Sequence, residues 1–127
     1  MLTLLIVDDE PAVRKGLRMR FATVSDVVVI GEASSGEEAL ALAETLRPDV
    51  VLMDVELPQM DGIAATQALH TAFPRLPVVV LSIHDDKGTQ LRALAAGACR
   101  FITKRGSNGE LLAAIRSAAT GSYGCNA

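Results

Sequence analysis

The chain has 127 residues, of which half are hydrophobic and only 3% aromatic, and its formal net charge is −3. That length suits one domain with a buried core and is too short for two. The lack of a basic excess argues against nucleic-acid binding by this segment. The apolar runs are too short to span a bilayer and no cleavable signal opens the chain, so we expect no membrane contact and a cytoplasmic location.

Short apolar runs alternate along the chain with amphipathic stretches. The predicted strands span residues 2–7, 27–33, 50–53, 78–81 and 99–103. Most of their positions are apolar, with little alternation, which is typical of strands buried on both faces of a parallel sheet. Strands and helices that alternate in this way, with short connections, predict a doubly wound α/β domain.

Local signals mark the helices between these strands. Pro11 stands at a first-turn position, and Ser35 with Glu38 forms a capping box ahead of the second helix. Gly97 stands where the fourth helix needs a left-handed residue at its end.

Polar side chains stand at the end of four predicted strands. Asp8 and Asp9 follow the first strand, Asp54 the third, Ser82 the fourth, and Lys104 the fifth. In a doubly wound sheet the carboxyl ends of the strands border the working site, so these side chains should converge. Three carboxylates repel one another unless a cation lies among them, and oxygen ligands favour Mg²⁺. A simpler alternative is that Asp9 caps the helix beginning near Pro11.

Phosphoryl transfer to a carboxylate is the chemistry that requires this set of residues. An aspartate can attack phosphorus covalently, while Mg²⁺ and a lysine ammonium neutralise the equatorial oxygens. Asp54 is the best nucleophile candidate, because it emerges from the middle of the sheet. The hydroxyl of Ser82 would supply one more donor to a phosphoryl oxygen.

Four segments resemble receiver domains of bacterial two-component response regulators, in the order and spacing of that family. They are residues 5–10 (LIVDDE), 53–62 (MDVELPQMDG), 81–82 (LS) and 101–104 (FITK). The resemblance extends from residue 2 to about 120. It implies a flavodoxin-like (βα)5 fold, a five-stranded parallel sheet of order 2-1-3-4-5. We assign residues 1–121 to this domain and 122–127 to a C-terminal tail, which would begin a linker if an output domain follows.

The resemblance also implies roles for individual residues. Asp54 would be the phosphoacceptor, and Lys104 would pair with the phosphoryl group. Asp8, Asp9 and Asp54, with the backbone carbonyl of Glu56, would bind Mg²⁺.

Four further positions take roles from the same resemblance. Ser82 would move toward the phosphoryl group, and Phe101 would be the aromatic switch that follows it, although a core role explains an aromatic residue in a strand equally well. The side chains of Glu56 and His84 would border the site, and for His84 a solvated loop position is the simpler alternative. Gly62, near the start of the third helix, is expected to be structural.

Three sequence segments around the site resemble those of receivers that are joined to LuxR-type helix-turn-helix domains. They are the junction of Lys104 with Arg105, residues 83–86 (IHDD) and residues 97–98 (GA). Many receivers have proline in a cis peptide after the lysine. A cis bond before a non-proline residue costs about 2.5–4 kcal/mol, so it is not assumed here.

The function implied is a signalling switch, with no enzymatic turnover beyond its own phosphorylation and dephosphorylation. A sensor histidine kinase would donate the phosphoryl group, and the family also allows a phosphorylation-dependent homodimer. The output would be transcription through a DNA-binding domain outside this chain. A stand-alone receiver that acts through protein contacts is the main alternative, and a pseudo-receiver that only docks is another.

Two other classes of protein are alternatives. A haloacid-dehalogenase-like phosphatase also uses aspartate, serine or threonine, and lysine with Mg²⁺. However, it places its nucleophile in a D-x-D pattern after the first strand, which Asp8 and Glu10 imitate poorly. A flavodoxin-like cofactor module would need a phosphate-binding loop after the first strand, where this chain has acids.

Overall fold

The computed structural model describes residues 1–57, 60–83, 86–104 and 108–120. The expectations for His84, for the peptide between Lys104 and Arg105, and for the tail at residues 122–127 lie outside these residues.

Within the described residues, five strands alternate with five helices. Their bounds are β1 Leu2–Val7, α1 Pro11–Ala22, β2 Val27–Ala33, α2 Gly36–Leu46, β3 Val50–Asp54, α3 Gly62–Ala72, β4 Val78–Ser82, α4 Lys87–Ala95, β5 Arg100–Thr103 and α5 Asn108–Ala119. The third and fourth strands include Asp54 and Ser82, which were expected just beyond them, and the fifth begins at Arg100 where residue 99 was predicted.

The strands form one parallel sheet of order β2-β1-β3-β4-β5, which confirms the predicted fold. The chain leaves β1 for β2 on one side and then returns to β3 on the other side. The order therefore reverses between β1 and β3, and the crevice at their carboxyl ends is the expected ligand site of such a sheet. Asp8, Asp9 and Asp54 stand at that crevice.

Apolar layers cover both faces of the sheet. Leu17, Phe21 and Ile115 of α1 and α5 pack on one face, and small side chains of α2, α3 and α4 pack on the other. Every residue of β3 and β4 is buried, which agrees with the expectation of strands covered on both faces. Burial of this kind contributes about 1.5–3 kcal/mol for each large aliphatic side chain.

The helix starts match most of the local signals. Ser35 Oγ accepts from the Glu38 N–H at 3.2 Å, but the Glu38 carboxylate reaches back to the Ser34 N–H and not to that of Ser35. Glu10 is the N-cap of α1 and makes no side-chain cap bond. The alternative that Asp9 caps α1 is therefore wrong.

Gly97 follows α4 with a φ of +111°, as predicted for a left-handed residue at that place. A Cβ atom here would lie 2.5 Å from His70 Cγ, so a larger residue is excluded by contact as well as by backbone conformation. None of the helices in the described part of the chain combines the length and hydropathy of a membrane span.

Candidate functional site

Three carboxylates meet at the crevice between β1 and β3. One oxygen from each of Asp8, Asp9 and Asp54 lies within 4.8 Å of the other two. Asp8 is 2% and Asp54 5% exposed, whereas Asp9 is open to solvent. Because β1 and β3 are neighbours in register, with Val7 opposite Met53, the residues that follow them meet at one edge. The structure thus brings together the acidic residues that were predicted to converge.

Lys104 lies against the two buried carboxylates. Its Nζ is 3.3 Å from Asp54 Oδ1 and 3.6 Å from Asp8 Oδ2, and its side chain is one-quarter exposed. Lys104 follows β5, and its backbone N–H donates to the Ser82 carbonyl at 2.7 Å, which continues the β4–β5 ladder by one more bond. The ladder therefore fixes the backbone from which the lysine reaches the acids.

Burial and neighbouring charges shift the pKa values of Asp54 and Lys104. Burial raises the pKa of Asp54 to about 6, and the Asp8 charge acts in the same direction, while Lys104 opposes both. Burial also disfavours the Lys104 ammonium, but the carboxylates of Asp54 and Asp8 outweigh it and raise the pKa of Lys104 above its ordinary value. One cation therefore only partly compensates two buried carboxylates.

A divalent cation with oxygen ligands fits this cluster. The three carboxylates supply hard donor atoms, one of them in contact with solvent, and Mg²⁺ commonly keeps several waters beside one or two carboxylates. Burial is the largest cause of the raised pKa of Asp54, and the repulsion from Asp8 that adds to it is the interaction that such a cation would relieve. Glu56 lies in the loop after β3, where its backbone N–H acts to lower the pKa of Asp54 and its side chain is exposed.

Asp8 is held at several atoms. Its N–H donates to the Ala33 carbonyl at 3.0 Å, and its Oδ1 accepts from the Glu10 N–H at 2.9 Å. Its carbonyl accepts from Arg14 Nη1 at 2.6 Å. Arg14 was not predicted as a site residue, and only its place one turn into the helix that follows the two acids could have suggested it.

Ser82 lies farther along the same edge of the sheet, and Phe101 lies within β5. Ser82 is completely buried at the end of β4 and pairs with Thr103 of β5. Phe101 pairs with Val80 and is partly buried against the core on the α2–α4 side of the sheet. This packing is compatible with the core role and with the switch role considered for Phe101.

Gly62 has a steric reason to be glycine. A Cβ atom at this position would lie 1.9 Å from the Asp54 carbonyl oxygen and 2.6 Å from Val55 Cα. The Gly62 N–H also donates to the Val55 carbonyl at 2.7 Å. The first residue of α3 is thus packed directly on the backbone of Asp54, and it contributes to the site by allowing that approach.

The chain matches the family described as the response regulator receiver domain over residues 4–116. It is 40% identical over 116 residues to the response regulator GacA of Pseudomonas viridiflava, a match that covers 91% of this chain and 54% of that protein. Among solved structures it resembles a LuxR-family two-component response regulator from Aurantimonas sp., with a TM-score of 0.92, 31% identity, and 96% and 87% of the two chains covered. It also resembles the receiver domain of a response regulator named NarL from Mycobacterium tuberculosis, with a TM-score of 0.88, 32% identity, and 94% and 97% covered.

The protein belongs to the response regulator receiver domain family of two-component systems. Its LuxR-family and NarL-type neighbours agree with the resemblance seen in the sequence. Membership decides against the phosphatase and flavodoxin alternatives and places the chain among signalling domains. The chain spans about half the length of the curated relatives it matches.

Proposed function

We propose that Asp54 accepts a phosphoryl group from a sensor histidine kinase and that the chain is a phosphorylation-dependent switch. The observation that carries this proposal is the position of Lys104, whose ammonium lies 3.3 Å from Asp54 and 3.6 Å from Asp8 at the crevice edge of the sheet. A buried carboxylate beside a partly exposed cation and a cation-binding acidic cluster matches what phosphoryl transfer to aspartate requires.

The transfer step needs an ionised Asp54. One carboxylate oxygen attacks the phosphorus of a phosphohistidine, the P–N bond breaks, and its electron pair returns to the imidazole, which takes up a proton. The pKa of Asp54, although raised to about 6, is still below neutral pH, so most of the carboxylate is ionised there. The backbone N–H of Glu56 favours the ionised form of the same carboxyl group.

Mg²⁺, held by Asp8, Asp9, Asp54 and the backbone carbonyl of Glu56, would neutralise charge on the phosphoryl oxygens when bound. Lys104 would exchange its contact with Asp54 Oδ1 for a phosphoryl oxygen, which forms a shorter charge-assisted hydrogen bond. The ammonium is already in contact with Asp54, so only a local adjustment is required.

The switch follows from the charge added to Asp54. Phosphorylation adds about −1.5 to −2 charges with new acceptor oxygens, which Ser82 and Lys104 would satisfy by moving toward them. Their backbones are linked at 2.7 Å, so β4 and β5 would move together, with Phe101 following Ser82. Shifting an equilibrium from 1:99 to 99:1 needs about 5.5 kcal/mol, which a few charge-assisted bonds of about 1.5–3 kcal/mol each can supply. Glu56 and His84 would border the site and tune hydrolysis.

For the output we propose control of transcription in the cytoplasm, through a DNA-binding domain outside this chain. The support is the likeness to a LuxR-family response regulator and, separately, to the response regulator GacA, which is roughly twice as long as this chain. A stand-alone receiver acting through protein contacts is the second candidate output, and for the partners we also propose a homodimer formed on phosphorylation. The reading frame beyond Ala127 separates them, because a basic helix-turn-helix there would favour the first.

The direct test of the transfer is phosphorylation by acetyl phosphate with Mg²⁺, followed by intact mass. We expect the wild-type chain to gain one acid-stable, base-labile phosphoryl group and Asp54→Asn to gain none. Asp61→Asn is the matched control, because Asp61 caps α3 through the Ala64 N–H at 2.7 Å and asparagine caps equally well. Labelling of Asp54→Asn at the wild-type level would refute the proposal.

A further inference from the structure

The Asp8 carbonyl accepts a hydrogen bond from Arg14, a residue outside the acidic cluster. We propose that Arg14 is a positioning residue for the metal ligands: it fixes the peptide that joins Asp8 to Asp9 and so sets the affinity for Mg²⁺. This inference rests on the Mg²⁺ site of the proposed function.

The contact acts on both ligands at once. Arg14 Nη1 lies 2.6 Å from the Asp8 carbonyl oxygen, which belongs to the peptide unit between Asp8 and Asp9. A peptide unit is planar, so one strong hydrogen bond to its oxygen restricts the orientation of both residues that it joins. Asp9 gains most from this restriction, because its side chain is exposed and β1 ends at Val7.

The remaining polar groups of Asp8 are held by other partners. Its N–H is bound to the Ala33 carbonyl and its Oδ1 to the Glu10 N–H, which leaves the carbonyl to Arg14. Neither of these other contacts involves the Asp8–Asp9 peptide: the first is made by the Asp8 N–H, and the second joins the Asp8 side chain to the Glu10 N–H. Arg14 thus holds the one peptide that connects the buried ligand to the exposed one.

Arg14 is itself anchored. Its Nε lies 3.1 Å from Glu32 Oε1, and the two side chains are only 18% and 23% exposed. Glu32 lies in β2 opposite Ile6 of β1, and its second oxygen pairs with Arg18. The guanidinium is therefore held between the β1–α1 turn and β2. Outer partners that orient metal ligands in this way typically change metal affinity 10–100-fold when they are replaced.

A purely electrostatic role and a positioning role of Arg14 predict opposite changes in Mg²⁺ affinity when Arg14 is replaced. If only its positive charge mattered, removing a cation near three carboxylates would strengthen Mg²⁺ binding. If it positions the ligands, its removal releases the Asp8–Asp9 peptide and weakens binding in spite of the favourable charge change. Arg14→Met removes the charge and the donors while it keeps the aliphatic bulk.

The experiment measures Mg²⁺ affinity of the full chain without a phosphodonor, by calorimetric titration and by the NMR shifts of the Asp9 and Glu10 amides. We expect about 10-fold weaker binding in Arg14→Met, and an intermediate affinity in Arg14→Lys, which can still donate to the carbonyl. Arg18→Met is the matched control, since Arg18 pairs with the same Glu32 but not with Asp8. It should keep the wild-type affinity.

Thermal melts of the same variants separate positioning from general stability. A merely structural role would make Mg²⁺ affinity follow the melting temperature in Arg14→Met and Arg18→Met alike. If the wild-type chain binds Mg²⁺ and Arg14→Met binds it equally or more tightly, the role proposed for Arg14 is wrong, while the metal site of the proposed function stands. A wild-type chain that binds no Mg²⁺ would instead overturn the metal site of the proposed function.

Discussion

Lys104 reaches Asp54 across the end of an intervening strand. Its Nζ is 3.3 Å from Asp54 Oδ1, although Asp54 ends β3 and Lys104 follows β5, with β4 between them. This ion pair therefore crosses the position of Ser82, the last residue of β4. A change in the charge of Asp54 acts on β5 through a side chain and, through the Ser82–Lys104 backbone bond, on β4 as well.

The raised pKa of Asp54 predicts how stability depends on pH in metal-free buffer. The pKa rises from 3.8 in the unfolded chain to about 6 in the folded one, so the folded state binds the proton more tightly. The ionised carboxylate thus destabilises the protein above about pH 6, and this effect disappears as the pH falls toward 4. Asp54→Asn should raise the free energy of unfolding by up to about 3 kcal/mol near pH 7.5.

Denaturant melts with a chelator present check this at two pH values. The difference between Asp54→Asn and the wild type should shrink to about 1 kcal/mol near pH 4.5 and vanish below the unfolded-state pKa of 3.8. Asp61→Asn, whose side chain is a solvent-exposed cap, should change stability little at either pH. A stabilisation by Asp54→Asn that did not depend on pH would show that the buried charge is not its cause.

Removing the Lys104 ammonium should raise the pKa of Asp54 further. The lysine is the cation that opposes burial and the Asp8 charge at this carboxylate. An opposite charge at this range typically lowers a carboxyl pKa by about 1–3 pH units, so Lys104→Met should raise it by that amount. A ¹³C NMR titration of the metal-free protein measures it. Lys15→Met, at an exposed position of α1, is the control. An equal pKa of Asp54 in the two variants would contradict the ion pair.

Gly62 and Gly16 should respond oppositely to alanine. At Gly62 the new Cβ would lie 1.9 Å from the Asp54 carbonyl oxygen, whereas at Gly16 nothing lies within 4 Å. Gly62→Ala should cost about 1–3 kcal/mol of stability and displace the Asp54 backbone. Gly16→Ala in the middle of α1 should stabilise by about 0.5–1 kcal/mol. Chemical denaturation compares the two, and a Gly62→Ala variant as stable as Gly16→Ala would disprove the close approach.

The fold and the acidic cluster could be predicted because both follow from short-range patterns. Continuous apolar runs indicated buried parallel strands, and in such a sheet the residues at the strand ends meet whatever the details of packing. Asp8, Asp9 and Asp54 were found in this way, and their oxygens do meet within 4.8 Å. Lys104 followed from the same rule.

Contacts that depend on the register of two strands or on the pitch of a helix could not be predicted. The Arg14–Glu32 pair needs Glu32 to lie opposite Ile6, in a ladder whose register shifts between Leu4 and Leu5. Gly62 was expected to be structural, but its reason is a distance to the Asp54 carbonyl that no local pattern contains. The alternative that Asp9 caps α1 is wrong, because α1 begins at Pro11 after Glu10, without a side-chain cap.

The central claim is that Asp54 itself carries the phosphoryl group, and the most direct measurement locates the modification. Borohydride reduces an acyl phosphate of aspartate to homoserine, which peptide mass spectrometry can assign to one position. After treatment with a phosphodonor and Mg²⁺, we expect homoserine at position 54 and aspartate at positions 8 and 9. Homoserine at position 8 or 9, or none at position 54 in a chain that takes up phosphate, would contradict the account.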